Sequence, residues 1–360
     1  MRILIIQNPA ETIEDYAAYI SILITDYAKW LGYEILYIDS LKSLNEKKDN
    51  CIFILQNLKT ALPGFLFEKK ITAHFKKAGI DLFINLTGKF RANLNLPQIL
   101  GMDENIFTRN KKKFISTYKN RNGKNHLAFI TYANSEKEKL KNFTEENDIN
   151  VFQIPFTASN EFKTFEWPDK VLIKAQYAGN KEYFLCLGGE NESLLLEVLK
   201  GFSKFKKWQQ SSMQLILVMD ETAWLDNFLE KLKSYRYTND VQIIREINIS
   251  QLSCLFASAY SFIHATNNSE NLEPIVSAMQ CSIPVICLNT PAFREYAGEA
   301  ALYMPVFEAA EISKNMIGVY KNEIYKAQME KSAKEESQKY NRDDVSKNLW
   351  ALMESLTVKA

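Results

Sequence analysis

The stretch over residues 260–284, YSFIHATNNSENLEPIVSAMQCSIP, restricts the fold more than any other part of the chain. Its apolar run over residues 260–265 predicts a buried strand, and the polar residues 266–271 predict a turn. Pro274 suits the first position of a helix, where no backbone N–H is needed. A second apolar run over residues 283–288 predicts another strand. A strand, a helix and a strand in this order predict a pair of parallel strands.

The same alternation of apolar runs and segments with helical spacing continues through most of the chain. Further strands are predicted over residues 2–6, 34–39, 51–55, 81–86, 127–132, 151–154, 183–187, 213–219, 241–244 and 301–304. Helices are predicted over residues 11–31, 65–78, 135–147, 193–205, 221–235, 250–259, 290–297 and 308–334. A last helix places Val345, Leu349, Leu352 and Leu356 on one apolar stripe. We therefore predict an α/β fold of two consecutive Rossmann-like units with a cleft between them.

The composition excludes several classes of function. The net charge of +1 provides no basic field, so a nucleic-acid partner is not expected. The 5 cysteines form no CxxC pair, and this odd number favours reduced, buried thiols in a cytoplasmic protein. No apolar run reaches about 18 residues, which excludes a spanning helix. The 3 histidines, His74, His126 and His264, are too scattered in the sequence for a metal site.

The loop after the strand at residues 260–265 is the candidate site. It joins the carboxyl end of a parallel strand to the start of a helix, and open α/β sheets bind ligands at such places. Free N–H groups and the helix dipole at a helix start favour an anion. The residues alone therefore predict an anion site over this loop, without naming the ligand.

The segment SENLEPIVSAMQCSIPV, residues 269–285, carries a resemblance to a known family. It resembles the family-four retaining glycosyltransferases of GT-B fold (glycosyl transferase group 1), which read Glu-Gly-Phe-Gly-Leu-Pro and then Glu-Ala-Met-Ala-Cys-Gly-x-Pro-Val. The residues in register are Pro274, Ala278, Met279, Cys281, Pro284 and Val285. The segments NTPAFREYAGEAALY, YFLCLGG and LLLEVLKGFSKF resemble neighbouring blocks of the same family.

The resemblance implies a domain plan and a reaction. Residues 1–165 would form an N-terminal, acceptor-side domain and residues 166–338 a donor domain. Residues 339–360 would form a helix that crosses back to the N-terminal domain. The donor would be a nucleotide-diphosphate sugar, and the acceptor a glycan, a lipid-linked molecule or a protein. Transfer would retain the anomeric configuration and need neither a metal nor another cofactor.

The resemblance also assigns roles to residues. By register, Ser269 and Ser277 occupy the positions of the family's two carboxylates, and Glu270 takes the first role if the register slips by one residue. The donor's phosphate would be held by backbone N–H groups around Asn271, Leu272 and Glu273. The other positions on the donor side are Gly188, Gly189, Arg245 and His264, of which Arg245 would lie near the nucleobase. Two other interpretations stay open, a surface pair between Arg245 and Glu246 and a packed His264 with one hydrogen bond.

The sequence departs from the family at the loop over residues 188–193. The family places an arginine and a lysine there, whereas this loop has no base and contains Glu190 and Glu192. Losing two charge-assisted hydrogen bonds costs roughly 3–6 kcal/mol of diphosphate binding. Two functions therefore stay open: a glycosyltransferase, or a catalytically inactive relative that acts as a partner or regulatory subunit of another glycosyltransferase. A phosphorylase or epimerase on the same architecture is a third.

Two lysine-rich segments each have two possible interpretations. One is the run over residues 111–113, and the other comprises Lys204, Lys206 and Lys207 beside Trp208. A solvated helix face explains both. The alternative is contact with an anionic lipid surface. We expect at most such peripheral contact between this chain and a membrane.

Overall fold

A computed structural model describes residues 1–7, 16–38, 50–56, 75, 77–86, 96–101, 127–144, 150–188, 191–269 and 271–358. The chain divides into two compact units. The N-terminal unit comprises Met1–Phe156 and Asp343–Ala360, and the C-terminal unit comprises Thr157–Arg342.

Parallel strands form the sheet of the N-terminal unit. Its described strands are β1 (Arg2–Gln7), β2 (Glu34–Ile38), β3 (Cys51–Gln56), β4 (Leu82–Asn85), β5 (Gln98–Gly101), β6 (Leu127–Thr131) and β7 (Val151–Gln153). Their order is β2-β3-β1-β4-β5-β6-β7, and every pair is parallel. The described helices beside it are α1 (Tyr16–Trp30) and α2 (Asn134–Thr144).

The C-terminal unit has a second parallel sheet. Its strands are β8 (Tyr183–Leu187), β9 (Gln214–Val218), β10 (Val241–Ile244), β11 (Ser261–Ile263), β12 (Val285–Leu288) and β13 (Ala301–Met304). Their order is β10-β9-β8-β11-β12-β13. The helices are α3 (Trp167–Ala178), α4 (Glu192–Gln209), α5 (Leu225–Lys233), α6 (Ile249–Ser258), α7 (Glu273–Gln280), α8 (Pro291–Ala297), α9 (Ala309–Lys321) and α10 (Glu323–Ser337).

The last helix, α11 (Arg342–Val358), belongs to the N-terminal unit except for its first residue. The predicted stripe of Val345, Leu349, Leu352 and Leu356 is buried, as expected. The Trp350 ring packs edge-on against Tyr33, with ring centroids 5.1 Å apart, and at a tilt against Tyr27, at 5.8 Å. Apolar and aromatic packing therefore attaches the end of the chain to the unit in which it begins.

The core of the C-terminal unit lies between its sheet and the helix pair α4 and α9. Strand β9 is buried along its whole length, as expected for a parallel sheet covered on both faces. Gly201 of α4 allows the close approach of α9, because a Cβ atom there would lie 2.7 Å from Ile312 Cγ2.

All 5 cysteine thiols are free, and Cys254 alone among them is partly exposed. Burial raises the pKa of both Cys186 and Cys281 to about 12. The prediction of buried thiols is confirmed for Cys51, Cys186, Cys281 and Cys287, and not for Cys254. No helix among the described residues has the length and apolarity that a bilayer crossing demands.

Several sequence predictions need correction. The single helix predicted over residues 308–334 is two helices, because Asn322 interrupts it and accepts a hydrogen bond from the Tyr325 N–H at 2.9 Å. Pro274 is the second residue of its helix, not the first. Strand β5 was not predicted, since only Gln98–Gly101 are extended there. Most of the helix predicted over residues 65–78 lies outside the described residues.

Lys206 also differs from the prediction. It neither lies on a solvated face nor is available to a lipid surface, because its ammonium group is buried. The group pairs with Asp240 Oδ2 at 3.0 Å and donates to the Met213 carbonyl at 3.1 Å. Lys204, Lys207 and Trp208 are exposed. Residues 111–113 lie outside the described residues.

Candidate functional site

The switch point of the C-terminal sheet lies between β8 and β11. These strands are neighbours, with Ile263 opposite Cys186. The chain runs outward from β8 through β9 to β10, and in the other direction from β11 through β12 to β13. The connections after β8 and β11 therefore diverge and leave a crevice at the carboxyl edge, where open α/β sheets bind ligands. Gly188 follows β8, and residues 264–272, named here the β11–α7 loop, follow β11.

Hydrogen bonds between residues close in sequence shape the β11–α7 loop. The Thr266 hydroxyl oxygen accepts a bond from the Asn268 N–H at 2.9 Å, and the Asn271 N–H donates to the Asn268 carbonyl at 3.3 Å. The Leu272 carbonyl accepts from Ile275 and Val276 and so starts α7. The Asn271 N–H, which the sequence assigned to a phosphate, is therefore engaged inside the loop.

His264 joins the two ends of the β11–α7 loop. Its Nε2 lies 2.7 Å from the Asn271 carbonyl oxygen, and its backbone N–H donates to the Ile286 carbonyl at 2.9 Å. The ring is 3% exposed and packs against Phe262 and Phe293, with ring centroids 5.7 and 5.2 Å away. Burial lowers the pKa of His264 to about 4, while the bond to Asn271 acts in the opposite direction. The imidazole is therefore neutral at pH 7, and Nε2–H donates to the carbonyl.

The two serines at the predicted carboxylate positions have different surroundings. Ser269 is partly exposed in a turn of the β11–α7 loop. Ser277, in the second turn of α7, is only 2% exposed. Glu270, the alternative to Ser269, lies outside the described residues. Of the two serines, Ser269 is thus the one accessible to a ligand in this conformation.

Gly188 lies at the end of β8 in tight contact with the next connection. Its N–H donates to the Val218 carbonyl. A Cβ atom on Gly188 would lie 3.1 Å from both Met219 Cα and the Val218 oxygen. The position therefore favours glycine and keeps the backbone bare at the crevice. Gly189 lies outside the described residues.

The acid in the first turn of α4 has local partners. Glu192 Oε1 accepts hydrogen bonds from Asn227 Nδ2 and from Lys231 Nζ, both at 2.8 Å. Its charge is therefore compensated by α5, and Glu192 opposes a diphosphate less than the sequence indicated. Glu190 lies outside the described residues. Asn191 caps α4 by accepting a bond from the Leu194 N–H at 3.2 Å.

Arg245 lies apart from the switch point. It follows β10, two strands from β8, which corresponds to roughly 10 Å across the sheet. Its Nη1 pairs with Glu221 Oε1 at 3.0 Å, and both side chains are largely exposed. The pairing with Glu246 suggested by the sequence is therefore wrong.

Thr266 and Asn268 shape the candidate site, as members of the turn predicted over residues 266–271, although their hydrogen bond was not predicted. A threonine can accept, through its hydroxyl oxygen, a hydrogen bond from the N–H two residues further along the chain. This is a known turn signal, so the sequence contained the pattern. The partners of Glu192 carried no such signal, because Lys231 is 39 residues away in the chain. His74 and His126 lie outside the described residues.

Comparison with known families places this site in a family context. Residues 178–336 match the model of the glycosyl transferases group 1 family. The matched region includes Gly188 and the whole β11–α7 loop. A curated relative is the O-antigen chain mannosyltransferase RfbU of Salmonella typhimurium strain LT2, 26% identical over 134 residues. That alignment spans 36% of this chain and 37% of the relative.

Solved structures with the same fold cover nearly the whole chain. A glycosyltransferase from Rickettsia africae ESF-5 superposes with a TM-score of 0.75 at 15% identity, covering 99% of this chain and 98% of the other. Anabaena HepE in complex with UDP-glucose gives a TM-score of 0.68 at 15% identity, covering 99% and 100%. The predicted α/β fold of GT-B type and the resemblance to the group 1 glycosyltransferases are confirmed.

Proposed function

We propose that this chain, with its GT-B fold and its group 1 glycosyltransferase region, transfers a sugar from a nucleotide-diphosphate sugar to an acceptor hydroxyl. The anomeric configuration is retained, and the protein's own groups act without a metal ion. The observation that carries the proposal is the β11–α7 loop, which lies at the switch point inside the region matched by the family.

The first turn of α7 offers the phosphate site. Backbone N–H groups at a helix start have no partner inside the helix, and the helix dipole favours an anion there. The segment concerned is the backbone turn that ends at Leu272, the residue before α7. Because Gly188 lacks a side chain, the backbone after β8 can approach the same ligand. In this proposal the backbone on both sides of the crevice contacts the diphosphate in place of an arginine and a lysine.

The reaction replaces the sugar's bond to phosphate with a glycosidic bond to the acceptor. The bond between the anomeric carbon and the donor's phosphate oxygen breaks, and a bond from the acceptor oxygen forms on the same face of the sugar. The acceptor's proton passes to the leaving phosphate. Ser269 is placed to hydrogen-bond the sugar or the phosphate, and Glu270 is the alternative. Ser277 contributes to the nucleotide side of the site only if α7 gives its hydroxyl access.

The names of the similar proteins suggest substrates to test. The HepE structure holds UDP-glucose, and the curated relative is a mannosyltransferase of O-antigen chains. A glucosyl or mannosyl donor and a growing glycan, lipid-linked or protein-bound, are therefore the first substrates to examine. This use of the chain would place it in polysaccharide biosynthesis in the cytoplasm.

A specific observation favours a second function. Serines occupy both positions at which the family carries carboxylates, and the loop over residues 188–193 contains no arginine or lysine. A chain that lost its donor site while keeping its fold would act as a partner or regulatory subunit of an active glycosyltransferase. Binding of a nucleotide sugar separates the two functions.

The test is a thermal-shift screen of the full chain with UDP-glucose, GDP-mannose and ADP-glucose at millimolar concentration. A ligand at 100 times its Kd stabilises the folded chain by about 2.7 kcal/mol, which raises Tm measurably. We expect Ser269→Trp to abolish the shift because it fills the crevice from a partly exposed position. The matched control, Lys204→Trp, alters an exposed position of α4 and should leave the shift intact.

The result that overturns the enzymatic proposal is a Tm unchanged by all three nucleotide sugars. Equal shifts in wild type and Ser269→Trp would place the ligand elsewhere. A shift without any release of nucleoside diphosphate, tested with glycan acceptors, would favour the inactive partner. Release that persists in EDTA would support the metal-independent reaction.

A further inference from the structure

The ring of His264 is held by three elements of the C-terminal unit. It belongs to the end of β11, its backbone is bonded to Ile286 of β12, and its ring packs against Phe293 of α8. The imidazole therefore has little freedom, and Nε2–H is presented in one direction. That direction leads to the Asn271 carbonyl at 2.7 Å.

The orientation of this carbonyl decides where the next N–H points. All described peptide bonds are trans, and in a planar trans peptide the C=O of one residue and the N–H of the next point in opposite directions. The Asn271 oxygen points inward to the buried ring. The Leu272 N–H, on the same peptide, therefore points away from the ring, and the conformation of this buried residue is fixed with it.

We infer that His264 is a positioning residue, whose Nε2–H fixes the peptide between Asn271 and Leu272 and so holds the β11–α7 loop in the conformation that meets the bound phosphate. The inference rests on the proposed nucleotide-sugar site. The role differs from that of a ligand-binding residue, because His264 acts through the backbone and touches no ligand.

The surroundings of the ring suit a neutral donor. Phe262, Phe293, Asn271 and the Ile286 backbone surround it, and none of these groups carries a charge. The charged residues next in sequence on the packed elements are Arg294, which follows Phe293 on α8, and Glu273, which begins α7. The Arg294 guanidinium lies over the Tyr303 ring, 4.4 Å from its centroid. The bond to Asn271 is therefore a hydrogen bond of the uncharged imidazole.

Hydrogen exchange of the full chain tests the positioning role directly. The variant His264→Leu removes the donor and places an apolar side chain there. His264→Gln keeps an N–H donor at a similar reach. We expect His264→Leu to speed exchange of the amides at residues 265–273 about tenfold, as expected for loss of one hydrogen bond. His264→Gln should stay close to wild type. Leu232→Ala, a core truncation in α5, controls for general destabilisation and should leave these amides unchanged.

Binding supplies the second readout. Where wild type binds UDP-glucose, GDP-mannose or ADP-glucose, His264→Leu should raise Kd about tenfold and His264→Gln should not. Wild-type exchange rates in His264→Leu, or equal exchange in the Leu and Gln variants, would overturn the positioning role. Where wild type binds no nucleotide sugar, the proposed function fails, and the exchange comparison still decides whether His264 fixes the loop.

Discussion

The two connections at the switch point of the C-terminal sheet are held in different ways. After β8, the described contacts at the start of α4 lie at the surface, where the partly exposed Glu192 is bonded to the exposed Asn227 and Lys231. After β11, the loop is held by a buried, neutral histidine. At the same edge of one sheet, the contacts after β8 are therefore screened by solvent, whereas the hydrogen bond after β11 is excluded from solvent.

The difference determines which connection can be altered without loss. An exposed ion pair contributes about 0–1 kcal/mol and weakens with salt. Removing the donor to a buried carbonyl costs about 1–3 kcal/mol, because the carbonyl oxygen is left without a partner. We therefore expect the β11–α7 loop to be the rigid half of the site and the β8 connection the adaptable half. Four changes test this contrast, in order of decreasing effect.

Ser277→Glu should produce the largest loss. The residue is 2% exposed, so the new carboxylate is buried or must hold its proton at pH 7. Raising the pKa of a buried glutamate from about 4.3 to above 7 costs roughly 3–4 kcal/mol of unfolding free energy. Urea denaturation at pH 7 measures it. Ser277→Gln, with nearly the same volume and no charge, is the control, and equal stabilities of the two variants would show that position 277 is open to solvent.

Lowering the pH should weaken the fold through His264. Its pKa of about 4 lies below the ordinary value of 6.5, so the unfolded chain binds the proton more readily. The stability from the neutral ring is complete above pH 6.5 and is lost as the pH falls towards 4, by about 3 kcal/mol in all. His264→Gln should lose this part of the pH dependence. Parallel curves of unfolding free energy against pH for the two chains would contradict the prediction.

Gly188→Ala tests the backbone after β8. The added Cβ would meet Met219 Cα and the Val218 oxygen at 3.1 Å, so we expect a loss of roughly 1–2 kcal/mol in unfolding free energy. Gly318→Ala in α9 is the control, because no atom lies within 4 Å of its new Cβ. That variant should gain up to about 1 kcal/mol from helix propensity. If the unfolding free energy of Gly188→Ala equals that of wild type, the backbone after β8 can shift to make room for the added Cβ.

Glu192→Gln should have the smallest effect. It weakens bonds to Asn227 and Lys231 at the surface, and we expect a loss below about 1 kcal/mol. The loss should shrink further in 0.5 M NaCl, whereas the effect of His264→Leu should not depend on salt. A salt-independent loss of more than about 2 kcal/mol for Glu192→Gln would remove the contrast between the two connections.

Much of the fold could be predicted because the strands of a covered parallel sheet are apolar on both faces. Strands such as β8 and β9 therefore stand out as unbroken runs, and their neighbours in sequence show helical spacing. The stripe of α11 was predictable for the same reason. Asn322 was missed because the helical spacing continues through it, whereas the interruption depends on its side chain capping α10.

The candidate site was predictable as a place but not as a set of contacts. The turn residues and Pro274 located the loop, and the resemblance supplied the ligand class. The partners of Glu192 and Arg245 depend on which helices and loops meet in space, which spacing along the chain does not encode. For His264, the interpretation as a packed residue with one hydrogen bond is confirmed, whereas its partners, Asn271 and Phe293, were not predicted, and Phe293 lies 29 residues further along the chain.

Hydrogen exchange with and without nucleotide sugar tests the central claim, that the β11–α7 loop and the start of α7 bind the donor. The full chain is compared free and in the presence of saturating UDP-glucose, GDP-mannose or ADP-glucose. The account predicts slower exchange at residues 264–277 and near Gly188 with at least one donor, and unchanged exchange in the α4 and α9 helix pair. Saturated binding without protection of residues 264–277, or no binding by any of the three, would contradict it.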